Sequence, residues 1–228
     1  MMKSARQLFD EGYFHGEGSN YPGEGYGAWW EMNCESYMAA IRYALQCIKE
    51  VPRKWLDIGC AYGQVVAYAA GFGVDAFGLD ISQYAVAQAK QRRTEVIRAS
   101  AEALPFRSNV FEAISVLELV EHLSYPSKMI KEIDRVCCKA SVILLSTPTK
   151  RAPSDSDATH IGIRPAHTWI SCFAKVGFLP LAVPSATRLA SIFNLASKIV
   201  PSRLRYVLFY FATMMVCPRS LQVILRKE

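Results

Sequence analysis

The feature that most constrains this chain is a strand-forming stretch, Lys54–Ile58, that runs into Gly59-Cys60-Ala61-Tyr62-Gly63 and then into helix-forming residues from Gln64. A glycine-rich turn between strand and helix lets the backbone approach a ligand closely and turns the free N–H groups of the helix start toward it. Asp80 closes the next strand-like run, at the spacing where a carboxylate accepts both hydroxyls of a ribose. A dinucleotide site wants G-x-G-x-x-G, which places glycines at 59, 61 and 64. Gly59, Ala61 and Gln64 break that pattern twice. A pyrophosphate needs the third close approach; a nucleoside ligand without phosphate does not.

The rest of the chain alternates in the same way. Strands are expected at Lys54–Ile58, Asp75–Leu79, Glu95–Ala99, Ala113–Leu117, Ser141–Ser146, Phe178–Val183 and Ser220–Arg226. Helices are expected at Gln64–Gly71, from a Ser82 cap to Arg93, at Pro126–Val136, and at Pro165–Lys175 before Gly177. Repeated β-α-β units make the fold α/β, with a Rossmann-like, mostly parallel seven-stranded sheet and helices on both faces. Residues 10–27, rich in Gly, Tyr and Asn, read as a loop, and Trp29–Glu50 as an amphipathic helix ended by Pro52. One domain is expected: an N-terminal helical cap at 1–50, a cofactor-binding core at 51–186, an apolar, basic helical insertion at 187–219, and a final strand at 220–228.

On these residues the chain resembles the class I S-adenosylmethionine-dependent methyltransferases of the type 11 kind. Asp57, Gly59 and Gly63 match the first motif of that family, D/E-x-G-x-G-x-G, with Ala61 at its middle glycine. Gly78-Leu79-Asp80-Ile81-Ser82 resembles the second motif. Ala99-Ser100-Ala101-Glu102-Ala103-Leu104-Pro105-Phe106 resembles the G-D-A-x-x-L-P-F segment, and Phe111 to Leu123 resembles the fourth strand with its E-H-L/V ending. The matches run in order over residues 54–149. The resemblance implies S-adenosyl-L-methionine as cofactor and S-adenosyl-L-homocysteine as product. It implies a cofactor site made of Asp57, Gly59, Ala61, Gly63, Asp80, Ile81, Ser100, Ala101, Glu102 and Leu117, and a last strand that runs antiparallel. Asp80 is assigned to the ribose and Ile81 to the adenine face; Ser100 stands where the family has Asp at the adenine edge.

A sulfonium methyl is already activated, so transfer needs the acceptor held in line, and a base where the acceptor is a hydroxyl. His122, past the fourth strand, and His160, on the loop after the fifth, are the two candidates, each set against the plainer role of a backbone-bonded histidine. Thr159 to Pro165 with the Trp169 helix resembles, more weakly, bacterial methyltransferases associated with sugars and glycans. The aromatic run ending at Trp29-Trp30 either lies beside a cationic sulfonium, where cation–π attraction acts, or anchors the first helix on the sheet.

Half the residues are hydrophobic (51%), ample for a core and against wholesale disorder. Seven cysteines without a CxxC pair, and no secretory signal at the start, favour reduced thiols and a cytoplasmic protein, or one peripheral to the inner membrane face. No metal site is expected. From Arg188 to Lys227 every charge is positive, and apolar residues crowd between. Three readings stand for 187–219: a lid, a homodimer face, or contact with an anionic membrane. The membrane reading predicts cosedimentation with anionic liposomes that salt weakens, and absence of cosedimentation at low salt removes it. The acceptor is expected to be a small molecule or a sugar, glycan or lipid-linked hydroxyl, with no nucleic acid. The alternatives are a nicotinamide-dependent oxidoreductase and a non-catalytic adenosylmethionine-binding protein.

Overall fold

The computed structural model describes residues 8–21, 23–48, 51–182 and 220–228, so the insertion at 187–219 lies outside the described residues. In chain order the elements are α1 (Glu11–Phe14), α2 (Gly25–Cys47), β1 (Lys54–Ile58), α3 (Gln64–Ala70), β2 (Asp75–Asp80), α4 (Gln83–Gln91), β3 (Glu95–Arg98) and β4 (Phe111–Leu117). A 3-10 turn at Val120–His122 follows, then α5 (Pro126–Val136), β5 (Cys137–Pro148), α6 (Ala166–Ala174), β6 (Phe178–Ala182) and β7 (Ser220–Lys227).

The strands form a seven-stranded sheet in the order β3-β2-β1-β4-β5-β7-β6. Pairing is parallel from β3 to β5, and β7 runs antiparallel to both β5 and β6. The two faces are visible in single strands. Trp55 of β1 packs with Ala40, Ile41 and Ala44 of α2 and Val66 of α3, whereas its neighbours Leu56 and Ile58 pack with α5 and α6. Leu144 and Leu145 of β5 divide in the same way. Side chains alternate along a strand, so a fully apolar run such as Val142–Leu145 fits only a sheet covered on both faces.

The covering helices carry matching stripes. In α5, Met129, Ile130, Ile133 and Val136 are buried, at helical spacing, between exposed Lys128 and Lys131. Each such side chain contributes about 1.5–3 kcal/mol when fully buried. Ser82 caps α4 through its hydroxyl, which accepts from the Ala85 N–H at 3.1 Å.

The N-terminal region differs from the expectation. Residues 10–27 are not all loop: Asp10 caps the short α1, accepting from the Tyr13 N–H at 3.2 Å, and α2 begins at Gly25 rather than Trp29. Gly25 (φ 79°) is the turn into α2; a Cβ there would lie 2.4 Å from the Phe14 carbonyl oxygen. β5 is also longer than expected, because the chain passes straight from α5 into the sheet at Cys137. No helix among the described residues is long and apolar enough to cross a membrane.

Candidate active site

The chain leaves β1 to build β2 and β3 on one side, then returns to build β4 on the other. Between the carboxyl ends of β1 and β4 the loops part, which is where α/β sheets bind ligands. A cavity of about 300 Å³ opens there. Of the ten residues assigned above to the cofactor, nine line it: Asp57, Gly59, Ala61, Asp80, Ile81, Ser100, Ala101, Glu102 and Leu117. Gly63 is not among the lining residues. It starts α3 with φ 75°, and a Cβ there would lie 2.7 Å from the Thr94 hydroxyl, so its glycine serves close packing on α4.

The turn is pinned to its neighbour strand. The N–H groups of Gly59 and Cys60 both donate to the Leu79 carbonyl, at 2.9 and 3.0 Å. Gly59 needs φ 78°, and a Cβ on it would press Leu119 at 3.1 Å. Ala61 has φ 43°, a left-handed conformation that costs a residue with a Cβ about 1 kcal/mol. Asp80 ties the turn to β2. Its Oδ2 accepts from the Ala61 N–H at 3.0 Å and its Oδ1 from the Ser82 N–H at 2.8 Å. Each oxygen keeps a lone pair for a ligand hydroxyl. Ser100, where the family has Asp, accepts the Glu102 N–H at 3.2 Å and so holds the turn after β3.

Asp57 is 3% exposed and is reached by one donor, the Ser115 hydroxyl at 2.5 Å, itself held by the Trp55 indole N–H at 2.9 Å. Burial pushes the Asp57 carboxyl up to about 7, and nearby Asp80 adds to the shift. Tyr26 and Cys60 also face it, both held neutral by burial. The folded chain thus keeps this proton to about pH 7, whereas the unfolded chain loses it near pH 4. Stability of the ligand-free protein is therefore expected to fall as pH rises between those values and to level off above. Melting curves of wild type and Asp57→Asn across pH 5–8 check this: the wild type should decline more steeply, because the raised carboxyls of Asp80, Glu118 and Glu121 are common to both, and parallel curves would refute it.

The far wall is aromatic. Phe9, Tyr13, Phe14, Tyr21, Tyr26, Trp29, Trp30 and Tyr37 line the cavity. Trp29 stacks on Tyr26 and Trp30 on Tyr37, so both tryptophans face the cavity while seating α2. Among the lining residues there is no lysine or arginine, whereas Asp57, Asp80, Glu102 and Glu118 are there. The lining suits a cationic ligand and, among the described residues, sets no positively charged lysine or arginine against a pyrophosphate.

His122 lines the cavity and His160 stands behind it, ring centroids 4.7 Å apart. Burial and the neighbouring His160 hold the His122 imidazole down at about 4, so at neutral pH it presents a lone pair. Four residues around them escaped sequence reasoning. Glu118 and Glu121 look like ordinary strand-end acids, and Asp155 and Asp157 like parts of a polar loop. Glu121 is fully buried, and Tyr13 donates from its hydroxyl to Asp157 across 144 residues of chain. The one local signal was the E-x-x-E-H spacing at 118–122.

Residues 56–145 match the family model of a methyltransferase domain. That segment, from β1 to β5, is thus similar to a methyltransferase domain. An uncharacterised protein of Methanocaldococcus jannaschii is 31% identical over 123 residues, covering 54% of this chain and 57% of that one. A ubiquinone biosynthesis O-methyltransferase of Dechloromonas aromatica is 26% identical over 142 residues, covering 55% of this chain and 60% of its own. The chain thus spans little more than half the length of these two relatives. Among solved structures the cyclase SpnF superposes with a TM-score of 0.60 at 20% identity, covering 84% of this chain and 80% of that one; the likeness is one of fold. S-adenosylmethionine is the cofactor of the methyltransferase family, and the domain's residues fit it: a close-approach glycine, a carboxylate with free lone pairs, and an acidic, phosphate-averse lining.

Proposed function

We propose that this methyltransferase domain transfers a methyl group from S-adenosylmethionine to a hydroxyl of a small molecule, sugar, glycan or lipid-linked acceptor. The observation that carries the reading is the cavity itself, in which the glycine turn and Asp80 meet a lining with four carboxylates and, among the described residues, no lysine or arginine. Bound adenosylmethionine supplies a sulfonium methyl that needs no further activation. In this reading Asp80 accepts the ribose hydroxyls and the Gly59 backbone lies against the ligand. The turn at 100–102 borders the base, and the stacked rings of α1 and α2 exclude water from the reacting atoms. His122 and His160 belong to the acceptor side, with the His122 lone pair directed at what binds there. The hydroxyl preference is supported by the O-methyltransferase relative and by the weaker likeness to sugar-associated enzymes.

A nicotinamide-dependent reading would need the close approach of a pyrophosphate to the turn, and Ala61 and Gln64 stand where two of its glycines would be. A non-methylating reading has one observation in its favour: a protein described as a cyclase shares the fold. Methyl-labelled adenosylmethionine incubated with the protein and a cell extract, then fractionated, separates these outcomes. Label is expected in the small-molecule, carbohydrate or lipid fraction. Label confined to protein or nucleic acid, or no transfer at all, would overturn the proposal.

A further inference from the structure

We propose that Glu121, His122 and His160 form a binding site for one divalent first-row transition-metal ion at the edge of the cavity. Their ligand atoms all lie within 4.8 Å of one another. Ligands about 2.1 Å from a shared ion stand about 3.4 Å apart in tetrahedral geometry, so the widest pair closes by up to about 1.4 Å when an ion binds.

The hydrogen bonds around the three residues orient their outer atoms and leave inner atoms for an ion. Glu121 is 0% exposed; its Oε2 accepts from the Thr147 hydroxyl at 2.9 Å, and its Oε1 has no partner. That orphaned oxygen lies 3.9 Å from His122 Nε2. The Thr159 hydroxyl gives its hydrogen to Asp157 Oδ1 at 2.5 Å. At 2.8 Å from His122 Nδ1 it can therefore only accept there, which assigns the proton to Nδ1 and the lone pair to Nε2. His160 repeats the arrangement, with Nδ1 3.0 Å from both oxygens of Asp155. The Nε2 of His122, a nitrogen of His160 and the Glu121 Oε1 thus gather beside the Asp157 carboxylate, whose Oδ2 lies 3.8 Å from His160 Nε2, and a cation would bind this set. Carboxylates bonded to the outer nitrogens of two histidines, one of them through Thr159, are the usual supporting shell of a metal site.

The surrounding charge agrees. Glu118, Glu121, Asp155 and Asp157 gather here, and among the described residues Arg151, 3.1 Å from Asp155, is the cation paired with them. Two nitrogen ligands and one carboxylate favour ions of the manganese-to-zinc series over magnesium or calcium, and three protein ligands leave coordination positions open. His122 also lines the cavity, so an ion held on it would stand beside an acceptor bound there. That role rests on the methyl-transfer reading; the metal site does not.

The test uses the full chain stripped with chelator. Manganese(II) is titrated while its free electron paramagnetic resonance signal is followed, and zinc(II) and magnesium(II) are titrated by calorimetry. One equivalent of manganese and of zinc should bind, with magnesium weaker. His160→Ala and Glu121→Gln should each weaken binding at least about tenfold, and Thr159→Ala, which touches no metal, by about 10–100-fold. Absence of stoichiometric binding, unchanged binding in variants that keep the wild-type circular dichroism, or magnesium tighter than zinc would overturn the site. Adenosylhomocysteine titrated into the same stripped protein reports separately on the cofactor site.

Discussion

Replacing Asp80 by alanine is expected to weaken adenosylhomocysteine binding by roughly 100-fold or more. A carboxylate that accepts two hydroxyls makes two charge-assisted hydrogen bonds, each contributing about 1.5–3 kcal/mol. Asp80 also holds the turn, since the Ala61 and Ser82 N–H groups each donate to one of its oxygens. Asp80→Asn should lose nearly as much. An amide has one acceptor oxygen, so one of those N–H groups would then face an NH₂ donor. Calorimetric titration of both variants checks this against the wild type. Folded variants with unchanged affinity would place the ribose elsewhere.

The second large effect is on stability. Trp55→Ala should destabilise the protein by about 3–5 kcal/mol, because the ring is fully buried between β1 and the α2–α3 layer. Trp55→Phe keeps most of that packing and removes the indole N–H that holds Ser115, and through it Asp57. It should cost about 1 kcal/mol, near the worth of one hydrogen bond. Urea denaturation of the two variants separates packing from the hydrogen-bond relay; equal losses would show that the relay, not the volume, is what Trp55 supplies.

The parts of this fold that were legible in sequence are those set by neighbours along the chain. Lys54–Ile58, the glycine turn and Asp80 lie within one β-α-β unit, and the lining of the cavity by nine of ten assigned residues follows from that local order. The antiparallel β7 was implied by the resemblance alone. What was illegible depends on distant partners. α1 hides in a run of glycines because a single Asp10 cap and ring contacts with Tyr21 and Tyr62 hold it. The polar network behind His122 joins Tyr13, Glu121, Thr147, Asp157 and Thr159, five residues with no common period. His160 comes to His122 only because the loop after β5 folds back, with the Gly162 N–H donating to the Glu121 carbonyl at 2.7 Å.

The central claim is that the cavity at the ends of β1 and β4 takes a cationic adenosyl cofactor, or its homocysteine product, and not a pyrophosphate. Calorimetric titration of the full chain with S-adenosylhomocysteine and, separately, with NADH tests it most directly. The expected result is one equivalent of adenosylhomocysteine bound, lost in Asp80→Ala, and no binding of NADH. Binding of NADH with none of adenosylhomocysteine would contradict it.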